Sequence, residues 1–82
     1  MLQWYLEGFD CDTDQLVQRH HLPNLSASEI RRILRLYSSV QIEPFDFNVP
    51  TLKEARELAM YAVGEVELVD DLDYQLDCFQ IN

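Results

Sequence analysis

Residues 9–14 read Phe9-Asp10-Cys11-Asp12-Thr13-Asp14, and the fold depends on whether this stretch is a metal loop between helices or a turn between strands. Carboxylates stand at alternate positions, Asp10, Asp12 and Asp14, as in the first half of a helix-flanked calcium loop. Such a loop also needs Gly at its sixth position for a sharp bend and a bidentate Glu at its twelfth. This chain has Gln15 and His21 there, so both the bend and the closing ligand are missing. Asp and Thr are also turn residues, because their side chains bond nearby backbone amides. The flanks read as strands. Residues 3–9, QWYLEGF, are rich in aromatics and lack helix caps, and residues 15–21, QLVQRHH, form a second extended run. The economical reading is a β-hairpin closed by an acidic turn, with no metal bound.

Working outward, Pro23 and Asn24 end the hairpin, and SASEIRRILRLY follows. Ser26 and Glu29 have the S-x-x-E spacing of a capping box, in which each side chain satisfies the other's free backbone N–H. Ile30, Ile33, Leu34 and Tyr37 recur at helical spacing, which predicts one apolar stripe on a helix of roughly three turns. Arg31, Arg32 and Arg35 fall on the other side. Residues 38–42 read as a connector. In PFDFNVP, Phe45, Phe47 and Val49 alternate with Asp46 and Asn48, the pattern of a half-buried strand. Pro44 and Pro50 bracket it, consistent with a short strand or an edge position.

Thr51 and Glu54 repeat the capping-box spacing, and Leu52, Ala55, Leu58, Ala59 and Ala62 form a second stripe. Gly64 is suited to end that helix in a left-handed conformation. Residues 65–73, EVELVDDLD, read equally as loop, helical turn or the start of a strand. Residues 74–81, YQLDCFQI, alternate again: Tyr74, Leu76 and Cys78 share one face, Gln75 and Asp77 the other. Phe79 and Ile81 fall on the polar face, so the alternation fails or twists near the end. The expected fold is α+β in the order β-β-α-β-α-β. It is a four-stranded, largely antiparallel sheet with both helices on one face, in a single domain spanning 1–82.

Composition narrows the function classes. The chain has 82 residues, nearly half of them apolar, which fits one small folded domain with a narrow stability margin. Fifteen Asp and Glu against six Lys and Arg give a net charge of −9. That balance argues against phosphate neutralisation on nucleic acid and against an anionic membrane surface, and it suits a basic protein partner. No secretory signal or membrane span is expected, which places the protein in the cytoplasm. The two cysteines make neither a disulfide framework nor a zinc site: Cys78 reads as a buried side chain and Cys11 as a free, exposed thiol. His20 and His21 are adjacent, so on a strand they point to opposite faces and cannot share one metal ion. With two glycines there is no phosphate loop, and no catalytic constellation or cofactor is expected.

The carboxylates fall into two groups: Glu7, Asp10, Asp12 and Asp14 on the hairpin, and Glu65, Glu67, Asp70, Asp71, Asp73 and Asp77 toward the C-terminal end. If the helices cover the face bearing Phe45, Phe47, Tyr74 and Leu76, then Asp46, Asn48, Gln75 and Asp77 face away, and the bare side of the sheet is acidic. Such a face also serves simply as the solvated side of an open sheet.

The runs YLEGFDCDTDQLVQR, LP before IRRIL, the F-D-F-N-V strand, EARELA and DYQLD resemble a small, largely uncharacterised bacterial domain family. In overall form the chain also resembles the cytoplasmic immunity proteins of contact-dependent growth-inhibition toxin systems. The resemblance implies a small acidic protein that binds and neutralises a cognate toxin, typically a basic nuclease, by covering its active site or substrate groove. On that reading the main contacts are Asp46, Asp70, Asp71, Asp73 and Asp77, with Glu7, Asp10 and Asp12 secondary. The alternative is a small accessory domain that binds a protein or ligand in another pathway.

Overall fold

The structure, a computed structural model, describes residues 2–36 and 47–80 of the chain. The expectations for Tyr37, residues 38–42, Pro44, Phe45, Asp46 and Ile81 lie outside the described residues.

Strand β1 spans Leu2–Asp10 and strand β2 spans Leu16–His21. They pair antiparallel, Leu6 opposite His20 and Glu7 opposite Arg19, with a register shift between Gly8 and Phe9. Asp10 builds the turn between them. Its Oδ1 accepts from the amides of Asp12 at 2.8 Å and Thr13 at 3.0 Å, and its carbonyl accepts from Asp14 N at 2.9 Å. Asp14 completes the turn at φ 58°, a left-handed conformation that Asp tolerates better than most residues.

Helix α1 spans Ala27–Leu34. Ser26 caps it, accepting from Glu29 N at 3.4 Å. The Glu29 carboxylate is turned elsewhere: Oε2 accepts from Arg32 Nη2 at 2.8 Å and from the Tyr61 hydroxyl at 2.6 Å. The helix is shorter than its stripe predicts, because Arg35 adopts φ 56° and its N–H returns to the carbonyls of Arg31 and Arg32.

Strand β3 is Phe47–Asn48, helix α2 spans Leu52–Ala59 and strand β4 spans Leu72–Gln80. At Thr51 the capping box is complete, with Glu54 N donating to Thr51 Oγ1 at 3.2 Å and Thr51 N donating to Glu54 Oε1 at 2.8 Å. This helix stops at Met60, short of Gly64, which takes φ +84° beyond a pair of looser turns.

The expected four-stranded sheet needs correction. Three antiparallel strands in the order β2-β1-β4 form the sheet, and among the described residues the segment expected as a full strand supplies the two-residue β3, Phe47–Asn48, at the outer edge of β4 and ends before Val49. The physical reason lies just downstream. Val49 is 74% exposed, Pro50 has no amide to donate to a ladder, and Thr51 is already committed as a helix cap. The register is also offset from the expected one. Asn48 opposes Leu76 and Phe47 opposes Asp77, so Asn48 rather than Phe47 takes the register position on the Leu76 side.

Both helices cover one face of the sheet. The core joins Leu6, Tyr74 and Leu76 of the strands to Ile30, Ile33, Ala55 and Leu58 of the helices, with Leu22 and Leu25 at the open end of the hairpin, opposite its turn. Gly8 is needed within this face for close approach. A Cβ there would meet Tyr74 Cε1 at 2.9 Å and Leu72 Cδ1 at 3.0 Å. The Tyr74 ring crosses Gly8, and its hydroxyl donates to Gln18 Oε1 at 3.0 Å and accepts from Val69 N at 2.9 Å. Residues 65–69 therefore run without regular structure yet are tied to the sheet, a second tie being Gln18 Nε2 to the Glu67 carbonyl at 3.3 Å. Among the described residues, no helix is long and apolar enough to cross a membrane.

Candidate functional site

The carboxylates expected to contact a partner fall in two places. Asp10, Asp12, Asp70, Asp71 and Asp73 lie together at the turn end of the sheet, because β1 and β4 pair there as Phe9 opposite Asp73 and Asp10 opposite Leu72. Cys11 ties the turn to this end by donating from Sγ to the Asp71 carbonyl at 3.3 Å. Desolvation, and then Asp12, Asp73 and Asp10, push the Cys11 thiol above its usual value, which keeps it away from reactive thiolate character. The amide bonds from Asp12 and Thr13 hold the Asp10 carboxyl below its usual range, so it stays charged in the turn.

An open groove of about 710 Å³ runs along this end. Asp14, Asp70 and Asp73 supply its carboxylates, and Val49, Leu52 and Leu72 supply apolar wall. Arg56 approaches Asp70 at 3.7 Å, but the two side chains are 61% and 83% exposed, so water screens the pair and it cancels little of the local charge. Asp12, Asp71 and Asp73 are all exposed. The arrangement offers long-range attraction from the carboxylates and a strip of apolar surface that a partner can desolvate.

Glu7 and Asp77 are placed differently. They lie in the middle of the sheet, on the face away from the helices, and both are buried. That face is less acidic than expected. The Arg19 guanidinium stands 4.2 Å from the Tyr5 ring centroid and 5.4 Å from that of Phe79, with Nε 3.4 Å from Glu7 Oε2. His21 stacks on Tyr5 at 4.8 Å, and Phe79 meets Tyr5 edge-on at 5.5 Å. Phe79, whose position broke the alternation, thus belongs to an aromatic cluster on the outer face. Asp46 lies outside the described residues.

The histidines point to opposite faces. His20 bonds Gln18 Oε1 at 3.2 Å, and burial lowers its pKa. Among the described residues, no group of three His, Cys, Asp or Glu side chains is placed to hold a metal ion.

A family model described as "Domain of unknown function (DUF7683)" matches residues 3–77. The chain belongs to this family. No curated protein and no solved structure matches it. The matched span runs from β1 into β4, so the acidic groove and the Glu7–Asp77 pair are both parts of the DUF7683 domain. Sequence reading missed Arg19, Tyr5 and the placement of Glu7 diagonally from Asp77 on one face. Each depends on which residues face one another across strands, and alternation along a single strand does not carry that information.

Proposed function

We propose that this DUF7683 domain is an immunity protein, acting in the cytoplasm, that neutralises a cognate bacterial toxin. The target is a basic nuclease domain, and the acidic sheet end covers its substrate groove or active site. The carboxylates stand where nucleic-acid phosphates would bind, and inhibition needs no chemistry by this chain. The observation that carries the reading is the gathering of exposed Asp12, Asp71 and Asp73 with Asp14 and Asp70 beside one partly apolar groove. The net charge of −9 supports it by favouring fast encounter with a cationic surface.

The test is co-expression with the product of the adjacent gene, scoring cell survival, together with a low-salt pull-down from the producing cell. Rescue of growth and a retained basic protein that elutes with salt are expected. Unchanged killing, or no basic protein retained, would sink the proposal. A retained partner that is a metabolic enzyme would assign the domain an accessory role instead.

A further inference from the structure

The buried carboxyls on the outer face go beyond that docking role. Glu7 of β1 faces Gln75 of β4 on one side and Arg19 of β2 on the other. Asp77 is the next residue of β4 on this face and stands opposite Tyr5. Glu7 is 8% exposed and Asp77 is 9% exposed. Asp77 Oδ1 accepts from Gln75 Nε2 at 2.7 Å. Asp77 Oδ2 is buried and has no donor among the described residues.

A buried carboxylate oxygen without a donor is costly, and native structures rarely leave one. Besides Gln75, the acidic neighbour of Asp77 on this face is the Glu7 carboxyl, which lies on the diagonal of the β1–β4 pairing, and each carboxyl is placed to act on the other. Two ionised carboxylates only accept, so this contact becomes a hydrogen bond when one of them carries a proton. The charges around the pair point the same way. On β2, Arg19 is the cation, at 3.4 Å from Glu7 Oε2, and His21 stacks on Tyr5 further along. On β1, Tyr5 is the titratable neighbour, and on β4, Asp73 adds negative charge beyond Gln75. One guanidinium balances one carboxylate and leaves the second uncompensated.

We propose that Glu7 and Asp77 share a single proton and that this proton sets the charge of the outer face: bound, it leaves the pair balanced by Arg19, and released, it leaves a surplus negative charge beneath the Tyr5–Phe79 cluster. Burial first, then the hydrogen bond to Asp77 and its like charge, raise Glu7 to about 7 against the lowering effect of Arg19. The switch therefore works near neutrality. Above it, two like charges stand side by side with one guanidinium, and the surplus draws Arg19 toward the pair and off the rings.

The experiment is a carbon-detected NMR titration of the side-chain carboxyls from about pH 4 to 9 on the intact chain, with the Tyr5 and Phe79 ring signals followed in parallel. The expected result is a Glu7 step near neutrality, with both rings shifting through the same step. The His21 imidazole signals are followed separately, to remove its contribution to the Tyr5 shift. Asp77→Asn is expected to bring the Glu7 step down by at least about one pH unit, because the like charge is removed. Glu7→Gln places an amide donor where the proton sits, so its ring signals should hold their low-pH positions throughout. The proposal is overturned if Glu7 titrates with the exposed glutamates, if the step is unmoved in Asp77→Asn, or if the rings stay flat across it. Should Asp77→Asn fail to fold, Glu7→Gln decides alone: ring positions matching the high-pH state overturn the shared proton.

Discussion

Asp73 and Asp77 stand on the same strand and the same face of the sheet, with Gln75 between them, yet Asp73 is exposed and Asp77 is 9% exposed. The difference comes from what lies across the strands. Asp73 opposes Phe9 where β1 runs into its turn, and water reaches the carboxylate from the end of the sheet. Asp77 opposes Tyr5 in the middle, where Tyr5, Phe79 and Arg19 crowd the same surface. Equal chemistry thus yields a free charge for a partner in one place and a confined proton site in the other. Face is a property of one strand, whereas burial is a property of three.

The comparison can be broken most directly by charge reversal. The triple variant Asp70→Lys, Asp71→Lys, Asp73→Lys is expected to weaken partner binding at least about a hundredfold, roughly 2.7 kcal/mol, and to leave thermal stability nearly unchanged. Glu7→Gln should leave affinity within about threefold, because it lies away from the groove. Calorimetric titration against the captured partner checks both. Equal losses in the two variants would merge the regions into one surface.

The next effect is on stability against pH. Folding raises Glu7 from 4.5 to about 7, so the folded chain holds this proton more tightly than the unfolded one. The resulting stability is fully present below about 4.5 and is lost as pH rises through about 7. At ~1.4 kcal/mol per pH unit the loss is at most about 3.5 kcal/mol, and solvent screening brings the expected figure to about 2 kcal/mol. Asp10 and Glu29, whose pKa values are lowered, act with the opposite sign at lower pH. Urea unfolding at pH 5 and pH 8, followed by the Trp4 fluorescence, should show the wild-type loss and a flatter profile in Glu7→Gln.

A smaller effect is expected at Gly8, which lies between the two regions. Gly8→Ala pushes on the Tyr74 ring at 2.9 Å, so the overpacking should cost about 1–2 kcal/mol of stability by the same unfolding assay. Smallest of all, Asp12→Asn should move stability by less than about 0.5 kcal/mol, since its carboxylate is exposed. A larger loss would mean that the turn depends on more than Asp10.

Much of the local structure is legible in the residues. Asp10 and Thr13 mark the hairpin turn, and Thr51 with Glu54 marks a helix start, because in each case side chain and backbone partner are close in sequence. Ser26 with Glu29 is only half legible. The motif does not show that Arg32 and Tyr61 compete for the glutamate. The alternation in PFDFNVP carries the strand too far downstream, to Val49: side-chain pattern records which way residues would point, while the strand's end depends on where backbone donors run out, here at Pro50. The gathering of Asp70, Asp71 and Asp73 follows from composition near the end of the chain, but their juxtaposition with Asp10 and Asp12 needed the β1–β4 register. The confinement of Glu7 and Asp77 was hidden for the same reason.

The central place of β1 also has a bearing on synthesis. Its pairing with β2 closes through a short turn, whereas its other edge is met by β4, Leu2 opposite Gln80. A growing chain can zip the hairpin early, but the second flank of β1 stays unpaired until the ribosome has produced Leu72–Gln80. During that interval the nascent polypeptide carries an open strand edge, a template for mispairing that β4 later covers.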